Sequence, residues 1–118
     1  MKIMIANAFS LSMLDRETQR NRAGDAVYGN LRIPRPCDNP AEWLGKWKVA
    51  GAEIESVVGH ADTAALFSAI LSRPVTVNRS SVKLVKDHRL LVGQYIGPRL
   101  PEGATTLPEG ARIEWWII

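Results

Sequence analysis

Residues 59–71 read Gly-His-Ala-Asp-Thr-Ala-Ala-Leu-Phe-Ser-Ala-Ile-Leu, and this stretch decides the fold class. Its apolar residues recur at steps of three and four, which is typical of an amphipathic helix packed against a sheet. The spacing predicts a helix that opens at residues 61–63 and carries Ala64, Leu66, Phe67, Ile70 and Leu71. The preceding residues, 53–58, are predicted as a short helical or turn segment that ends at Gly59.

Short apolar segments on both sides of this helix predict strands. The first is a buried strand over residues 2–7, and the later ones cover residues 75–77, 81–85, 90–96 and 112–118, with Asp87-His88 as a turn. Pro34 and Pro36 restrict residues 31–33 to a short edge strand, because proline donates no hydrogen bond to a sheet. We therefore expect one α/β domain of the α+β kind, with a mixed sheet of about five strands and helices on one face.

A second helix is predicted from residue 40 to about residue 50. Asn39 provides the N-cap, Pro40 the first helical position and Glu42 an acidic side chain in the first turn. Its apolar residues are Trp43, Leu44, Trp47 and Val49. The polar residues 15–30 are predicted to form a loop or a hairpin tip.

Length and composition limit the possible classes. A chain of 118 residues with 46% hydrophobic and 23% charged residues forms one ordinary globular domain. No apolar run approaches the roughly 20 residues that a membrane span needs. Residues 1–13 lack a clear signal-peptide cleavage site. The single Cys37 fits a reducing compartment, so we expect a cytoplasmic protein without a disulfide.

The charge favours a small anionic ligand over long nucleic acid. The net charge is +3, and ten of the 15 basic residues are arginine, whose planar guanidinium suits phosphate. A net charge of +3 is mild for a protein that binds long duplexes. With one cysteine, two histidines and no close cluster of carboxylates, the sequence predicts neither a metal site nor a cofactor site.

His60 is the residue best suited to phosphate chemistry. It stands directly before a helix, where free N–H groups attract phosphate, and its imidazole can give a proton to a leaving oxygen. Most histidines at helix starts are nevertheless surface or capping residues. His88 is interpreted as a surface residue, and Cys37 as a free thiol in a proline-rich loop rather than a nucleophile.

Four short motifs resemble the type III anti-CRISPR ring nucleases, a family of small viral proteins with some cellular and prophage relatives. The motifs are residues 6–10 (Ala-Asn-Ala-Phe-Ser), Gly59-His60-x-x-Thr63, Asn78-Arg79 and residues 99–103 (Arg-Leu-Pro-Glu-Gly). The resemblance covers residues 1–14 and 54–118. It lapses over residues 15–52, which are expected to be a variable loop and helix insertion in a single domain spanning residues 1–118.

The resemblance implies a homodimer that binds cyclic tetra-adenylate, the second messenger of type III CRISPR complexes. It also implies metal-free cleavage, in which a ribose 2′-hydroxyl attacks the adjacent phosphorus and gives linear di-adenylate with a 2′,3′-cyclic phosphate. On this basis His60 is the general acid, Arg99 holds phosphate, and Glu102 orients the neighbouring groups. The implied ligand-binding residues are Asn7, Ala8, Phe9, Ser10, Thr63, Arg79 and Gln94.

Asp62 departs from what the resemblance leads one to expect. It brings a negative charge close to the expected phosphate, where a small polar residue would be easier to explain. Capping of the helix is the alternative interpretation of Asp62.

Two other functions remain open. The same dimer could bind a cyclic oligoadenylate without cutting it, as a sponge. Alternatively, the chain could be a small viral nucleic-acid-binding regulator whose phosphate-contacting arm contains Arg16, Arg20, Arg22, Arg32 and Arg35.

Overall fold

A computed structural model describes residues 1–14, 18–20, 26–28, 32–85 and 87–118. The strands are β1 (Lys2–Ala6), β2 (Thr18–Arg20), β3 (Ala26–Tyr28), β4 (Arg35–Pro36), β5 (Glu53–Ser56), β6 (His88–Ile96) and β7 (Arg112–Ile117). The helices are α1 (Pro40–Val49) and α2 (Ala61–Leu71), with a short 3₁₀ helix over Leu11–Met13.

Five strands form a mixed sheet in the order β4-β7-β6-β1-β5, and β2 pairs with β3 in a separate two-stranded sheet. β1 is parallel to both β5 and β6, whereas β7 is antiparallel to β6 and to β4. The expected α+β domain with a five-stranded mixed sheet is confirmed. Residues 15–17, 21–25, 29–31 and 86 lie outside the described residues.

Both helices pack on one face of the sheet, as expected. Leu44 of α1 and Phe67 of α2 share a core cluster with Ile3, Ile5 and Leu91. The opposite face is formed by residues such as Met4, Leu90 and Val92, and the segments around residues 9–14 and 82–84 cover it instead of α1 and α2. Each face of the sheet therefore has a core of its own.

The start of each helix follows from its sequence. The Asn39 side chain accepts a hydrogen bond from the Glu42 N–H at 3.2 Å, which confirms the predicted N-cap of α1. Val49, which we expected among the apolar positions of α1, is 91% exposed. The predicted opening of α2 within residues 61–63 is confirmed, because the helix begins at Ala61.

The prediction for residues 53–58 is wrong, because Glu53–Ser56 form strand β5. This strand pairs in parallel with β1, so that Ile54 lies opposite Ile3. A four-residue segment with one central isoleucine fits either a turn or a strand, and only its partner strand decides between them.

The strands predicted over residues 75–77 and 81–85 reduce to two single bridges. Val77 pairs with Val58, and Leu84 pairs with Leu14. Val82 and Leu84 are buried against the sheet, which explains their apolar character without a continuous ladder of hydrogen bonds.

Two smaller predictions are also wrong. The predicted edge strand at residues 31–33 lies instead at Arg35–Pro36, where it pairs with β7, and Leu31 lies outside the described residues. His88 is the first residue of β6 and is half-buried, rather than a surface turn residue.

Candidate functional site

The candidate site lies at the edge of the sheet where the parallel strands β1 and β5 end beside the longer strand β6. Asn7 follows β1 directly, and residues 57–60 follow β5. β6 runs past this edge, because its Val92 pairs with Ala6 at the end of β1 and Gln94 lies two residues further along. Open sheets with parallel strands bind ligands outside the carboxyl ends of those strands. Chain topology therefore brings together residues that are far apart in sequence.

His60 is the N-cap residue of α2, and its side chain is exposed. Its backbone is extended, and its carbonyl oxygen accepts the first helical hydrogen bond from the Ala64 N–H at 2.9 Å. The imidazole makes no capping hydrogen bond. His60 is therefore a surface residue at the N-cap position whose side chain does not cap the helix, and its imidazole is accessible beside the positive end of a helix.

Two predicted ligand-binding residues hold the peptide that precedes His60. The Asn7 side-chain oxygen accepts a hydrogen bond from the Gly59 N–H at 3.3 Å. On the other side of the same residue, Arg79 Nε donates to the Gly59 carbonyl oxygen at 2.7 Å. Asn78 reinforces this turn, because its amide nitrogen donates to the Ser56 carbonyl oxygen at 2.8 Å. These contacts fix the backbone from which the His60 side chain projects.

We call the first of two clefts near this edge the helix-end cleft. It has a volume of about 540 Å³ and is lined by Ala61, Asp62, Arg99, Leu100, Pro101 and Glu102. The structure thus brings the predicted Arg99 and Glu102 to the start of α2, where Ala61 and Asp62 line the same cleft; His60 precedes Ala61 and is not itself a lining residue. The charged groups in its wall are one guanidinium and two carboxylates. The first-turn N–H groups of α2 add partial positive charge at the same place.

Asp62 does not act as the helix cap that the sequence suggested. Its Oδ1 instead accepts a hydrogen bond from the Gly103 N–H at 3.4 Å. Asp62 therefore connects the first turn of α2 to the loop that carries Arg99 and Glu102.

We call the second cleft the sheet-face cleft, because it opens on the face of the sheet that the helices leave uncovered. It has a volume of about 640 Å³ and is lined by Asn7, Ala8, Phe9, Pro34, Val92, Gln94, Trp116 and Ile118. Two amide side chains stand among apolar and aromatic walls, an arrangement that suits a planar base with polar edges. Asn7 takes part in both regions, since it lines this cleft and also binds Gly59.

The clefts contain six of the ten residues predicted for the site: Asn7, Ala8, Phe9, Gln94, Arg99 and Glu102. His60 directly precedes a residue of the helix-end cleft, and Arg79 holds its turn. Thr63 is partly buried in the first turn of α2. The Ser10 Oγ caps the 3₁₀ helix by accepting from the Ser12 N–H at 3.3 Å, so its described contact is structural.

Sequence reasoning missed Pro34, Val92, Trp116 and Ile118 as cleft residues. Trp116 pairs with Val92 across β6 and β7, so both side chains lie on the same face of the sheet. The alternation of side chains along residues 112–118 is the one signal that could have placed Trp116 and Ile118 together.

The nucleic-acid hypothesis relied on five arginines, and one of them, Arg32, makes its hydrogen bonds within the protein. The Arg32 guanidinium donates to the backbone oxygens of Val85 and His88, and burial together with the nearby Arg89 lowers its pKa. Arg35 is exposed in β4. Arg16 and Arg22 lie outside the described residues.

Cys37 is half-buried and unlinked. Burial raises the pKa of its thiol, which reduces the fraction of reactive thiolate at neutral pH.

Within the described ranges, no group of three or more metal-ligating side chains is found. No helix among the described residues has both the length and the apolar character that crossing a membrane requires.

The mixed sheet, the two helices on one face and the clefts at the strand ends define a small α+β domain with a ligand-sized site. The STIV B116-like family model matches residues 3–114 of the chain. The chain therefore belongs to this family, whose namesake is a viral protein.

A solved structure with a similar fold is that of B116 of Sulfolobus turreted icosahedral virus. The two structures agree with a TM-score of 0.70 over 98% of this chain and 97% of the viral one, at 21% sequence identity. At this identity the likeness shows the fold. No curated protein matches the chain significantly.

Proposed function

We propose that the protein is a metal-independent ring nuclease that cleaves cyclic tetra-adenylate and so antagonises type III CRISPR signalling. The observation that carries the proposal is that the His60 side chain is accessible while the backbone before it is held in place. Its imidazole is exposed at the start of α2 and makes no capping bond, while Asn7 and Arg79 hold the preceding residue from both sides. A rigid backbone under an accessible proton donor is what general acid catalysis requires.

In the proposed reaction, which occurs at two opposite phosphates of the ring, the ribose 2′-oxygen attacks the adjacent phosphorus and its proton passes to solvent water. The bond from phosphorus to the 5′-oxygen breaks, and His60 gives that oxygen its proton. The products are linear di-adenylate molecules with 2′,3′-cyclic phosphates. Positioning the 2′-hydroxyl in line needs no nucleophile from the protein and no cofactor.

The other residues of the site have roles that fit the chemistry of the ring. Arg99 in the helix-end cleft can bind a phosphate and stabilise the charge of the transition state, and Glu102 can orient it. Asn7, Gln94 and Phe9 in the sheet-face cleft can bind an adenine through amide hydrogen bonds and an aromatic contact. Thr63 and Ser10 would contribute hydroxyls to ribose or phosphate.

The proposal includes a homodimer acting in the cytoplasm, where CRISPR complexes make the messenger. A single 118-residue chain can hardly enclose a ring of four nucleotides. A two-fold dimer matches the symmetry of the ring and supplies two copies of His60.

The test is to incubate the protein with labelled cyclic tetra-adenylate in EDTA, beside His60→Ala. We expect the parent to release linear di-adenylate and the variant to lose about 100-fold or more in rate. His88→Gln is the matched control, because it removes the other histidine, at the far end of β6. Titration of the ring should saturate at two chains per ring.

Tight binding without cleavage by the parent would favour the sponge instead. Absence of both binding and cleavage would refute the ring nuclease. In that case, salt-dependent binding to duplex nucleic acid would be the next measurement, because it would favour the regulator.

A further inference from the structure

The loop that carries Arg99 and Glu102 has few attachments to the rest of the fold. Residues 101–103 are exposed, and the loop closes on itself through the Ala104 N–H and the Pro101 oxygen at 3.2 Å. At its start, the Tyr95 hydroxyl donates to the Pro98 oxygen at 2.6 Å. β6 and β7 hold both ends of the loop, because Ile96 pairs with Arg112, but this pairing does not fix the distance between the middle of the loop and His60.

The hydrogen bond from Gly103 to Asp62 holds the middle of this loop against the first turn of α2. Gly103 has a φ of +72°, a conformation that favours glycine and that turns its N–H toward the first turn of α2. Asp62 is two residues after His60, so the bond joins the element that carries the proposed acid to the loop that carries the proposed phosphate ligand.

We propose that Asp62 is a positioning residue that latches the Arg99–Gly103 loop to the start of α2. The proposed consequence for catalysis rests on the proposed function. The latch itself is a property of the fold and can be measured in the absence of any substrate.

The negative charge of Asp62 disfavours phosphate binding in the helix-end cleft, and this effect can be separated by experiment from the hydrogen bond to Gly103. With Asp62 and Glu102 both ionised, the helix-end cleft presents two negative charges against the one positive charge of Arg99. The Asp62 charge therefore opposes a phosphate in the cleft while its oxygen fixes the loop. An asparagine keeps an oxygen acceptor and removes the charge, whereas an alanine removes both.

The variants Asp62→Asn and Asp62→Ala separate the two effects. In Asp62→Ala we expect the Gly103 amide, followed by NMR, to exchange with water about tenfold faster, since one hydrogen bond is lost. We expect kcat for cyclic tetra-adenylate to fall by about the same factor. In Asp62→Asn the Gly103 amide stays protected, kcat stays within about twofold of the parent, and KM falls because repulsion of phosphate is removed.

Asp87→Asn is the matched control, because it removes a carboxylate just before β6, at the opposite end of the sheet. It should change neither Gly103 exchange nor KM. Circular dichroism and thermal melting of each variant check that the fold is intact.

Equal Gly103 exchange in the parent and in Asp62→Ala overturns the latch, whatever the activity. If exchange differs as expected but the parent does not cleave the ring, the latch stands and the proposed ring nuclease fails. A parallel loss of kcat in Asp62→Asn and Asp62→Ala would show that the charge, rather than the bond to Gly103, is what matters, and would also overturn the proposal.

Discussion

Gly93 allows two aromatic rings to pack closely over the centre of the sheet. A Cβ at this position would lie 2.6 Å from Phe67 Cζ and 2.7 Å from the Trp115 ring. The Phe67 and Trp115 ring centroids are 4.8 Å apart, which leaves little room for either ring to withdraw. The missing side chain is therefore part of the contact between α2 and β7 across β6.

We expect Gly93→Ala to lower the free energy of unfolding by about 1–3 kcal/mol, the usual effect of an added methyl in a well-packed core. Urea denaturation followed by circular dichroism measures the change. Gly45→Ala is the control, because no packing partner among the described residues lies within 4 Å of a Cβ there and the residue is exposed in α1. It should stabilise the protein by about 0.5–1 kcal/mol. Equal stability of Gly93→Ala and the parent would contradict the packing described here.

At the scale of elements, Arg32 connects the segment before β4 to the turn that leads into β6. Its guanidinium donates to the carbonyl oxygens of Val85 and His88, which are more than 50 residues away in sequence. The Arg32 Nε lies buried without a partner among the described residues. The burial of a charged group is tolerated here because its terminal nitrogens satisfy two backbone oxygens.

We expect Arg32→Met to destabilise the protein by about 1–3 kcal/mol, because the two carbonyl oxygens lose their donor. Thermal and urea unfolding measure the effect. Arg35→Met removes an exposed charge three residues away and should stay within about 0.5 kcal/mol of the parent. Similar losses in both variants would mean that net charge, and not the carbonyl contacts, explains the result.

The elements with strong local signals could be predicted from sequence. The N-cap and proline at residues 39–40 and the apolar spacing of residues 61–71 act within their own segments, so α1 and α2 are confirmed. Residues 53–56 form a strand only because β1 offers them a partner, which no local pattern specifies. The prediction of a strand over residues 81–85 is wrong for a related reason. Their apolar side chains cover a face of the sheet, but their backbone does not pair with a strand in a continuous ladder of hydrogen bonds.

At the scale of the whole molecule, the sequence predicts candidate site residues but not how they are arranged. His60, Arg99 and Glu102 were grouped through a family resemblance, since residues 60 and 99 are separated by a helix and a strand. Asn7 and Arg79 are predicted to bind ligand, and their described hydrogen bonds to Gly59 are a further role that the sequence did not indicate. The Asp62 contact with Gly103 exists only because the fold brings α2 close to a loop that is far away in the sequence.

The two adjacent tryptophans of β7 point to opposite sides of the sheet. Trp115 packs with the helix-side core, where Trp43 and Trp47 of α1 also lie. Trp116 packs with the other core and is the one tryptophan in the wall of the sheet-face cleft.

The molecule therefore carries a natural optical reporter. An adenine that enters the sheet-face cleft should quench the fluorescence of Trp116, and Trp116→Phe should abolish that quenching while the other three indoles continue to emit. Trp47→Phe, on the helix side, should leave the quenching unchanged. Binding of an adenine nucleotide could then be followed in real time without a label, whether or not the nucleotide is cleaved.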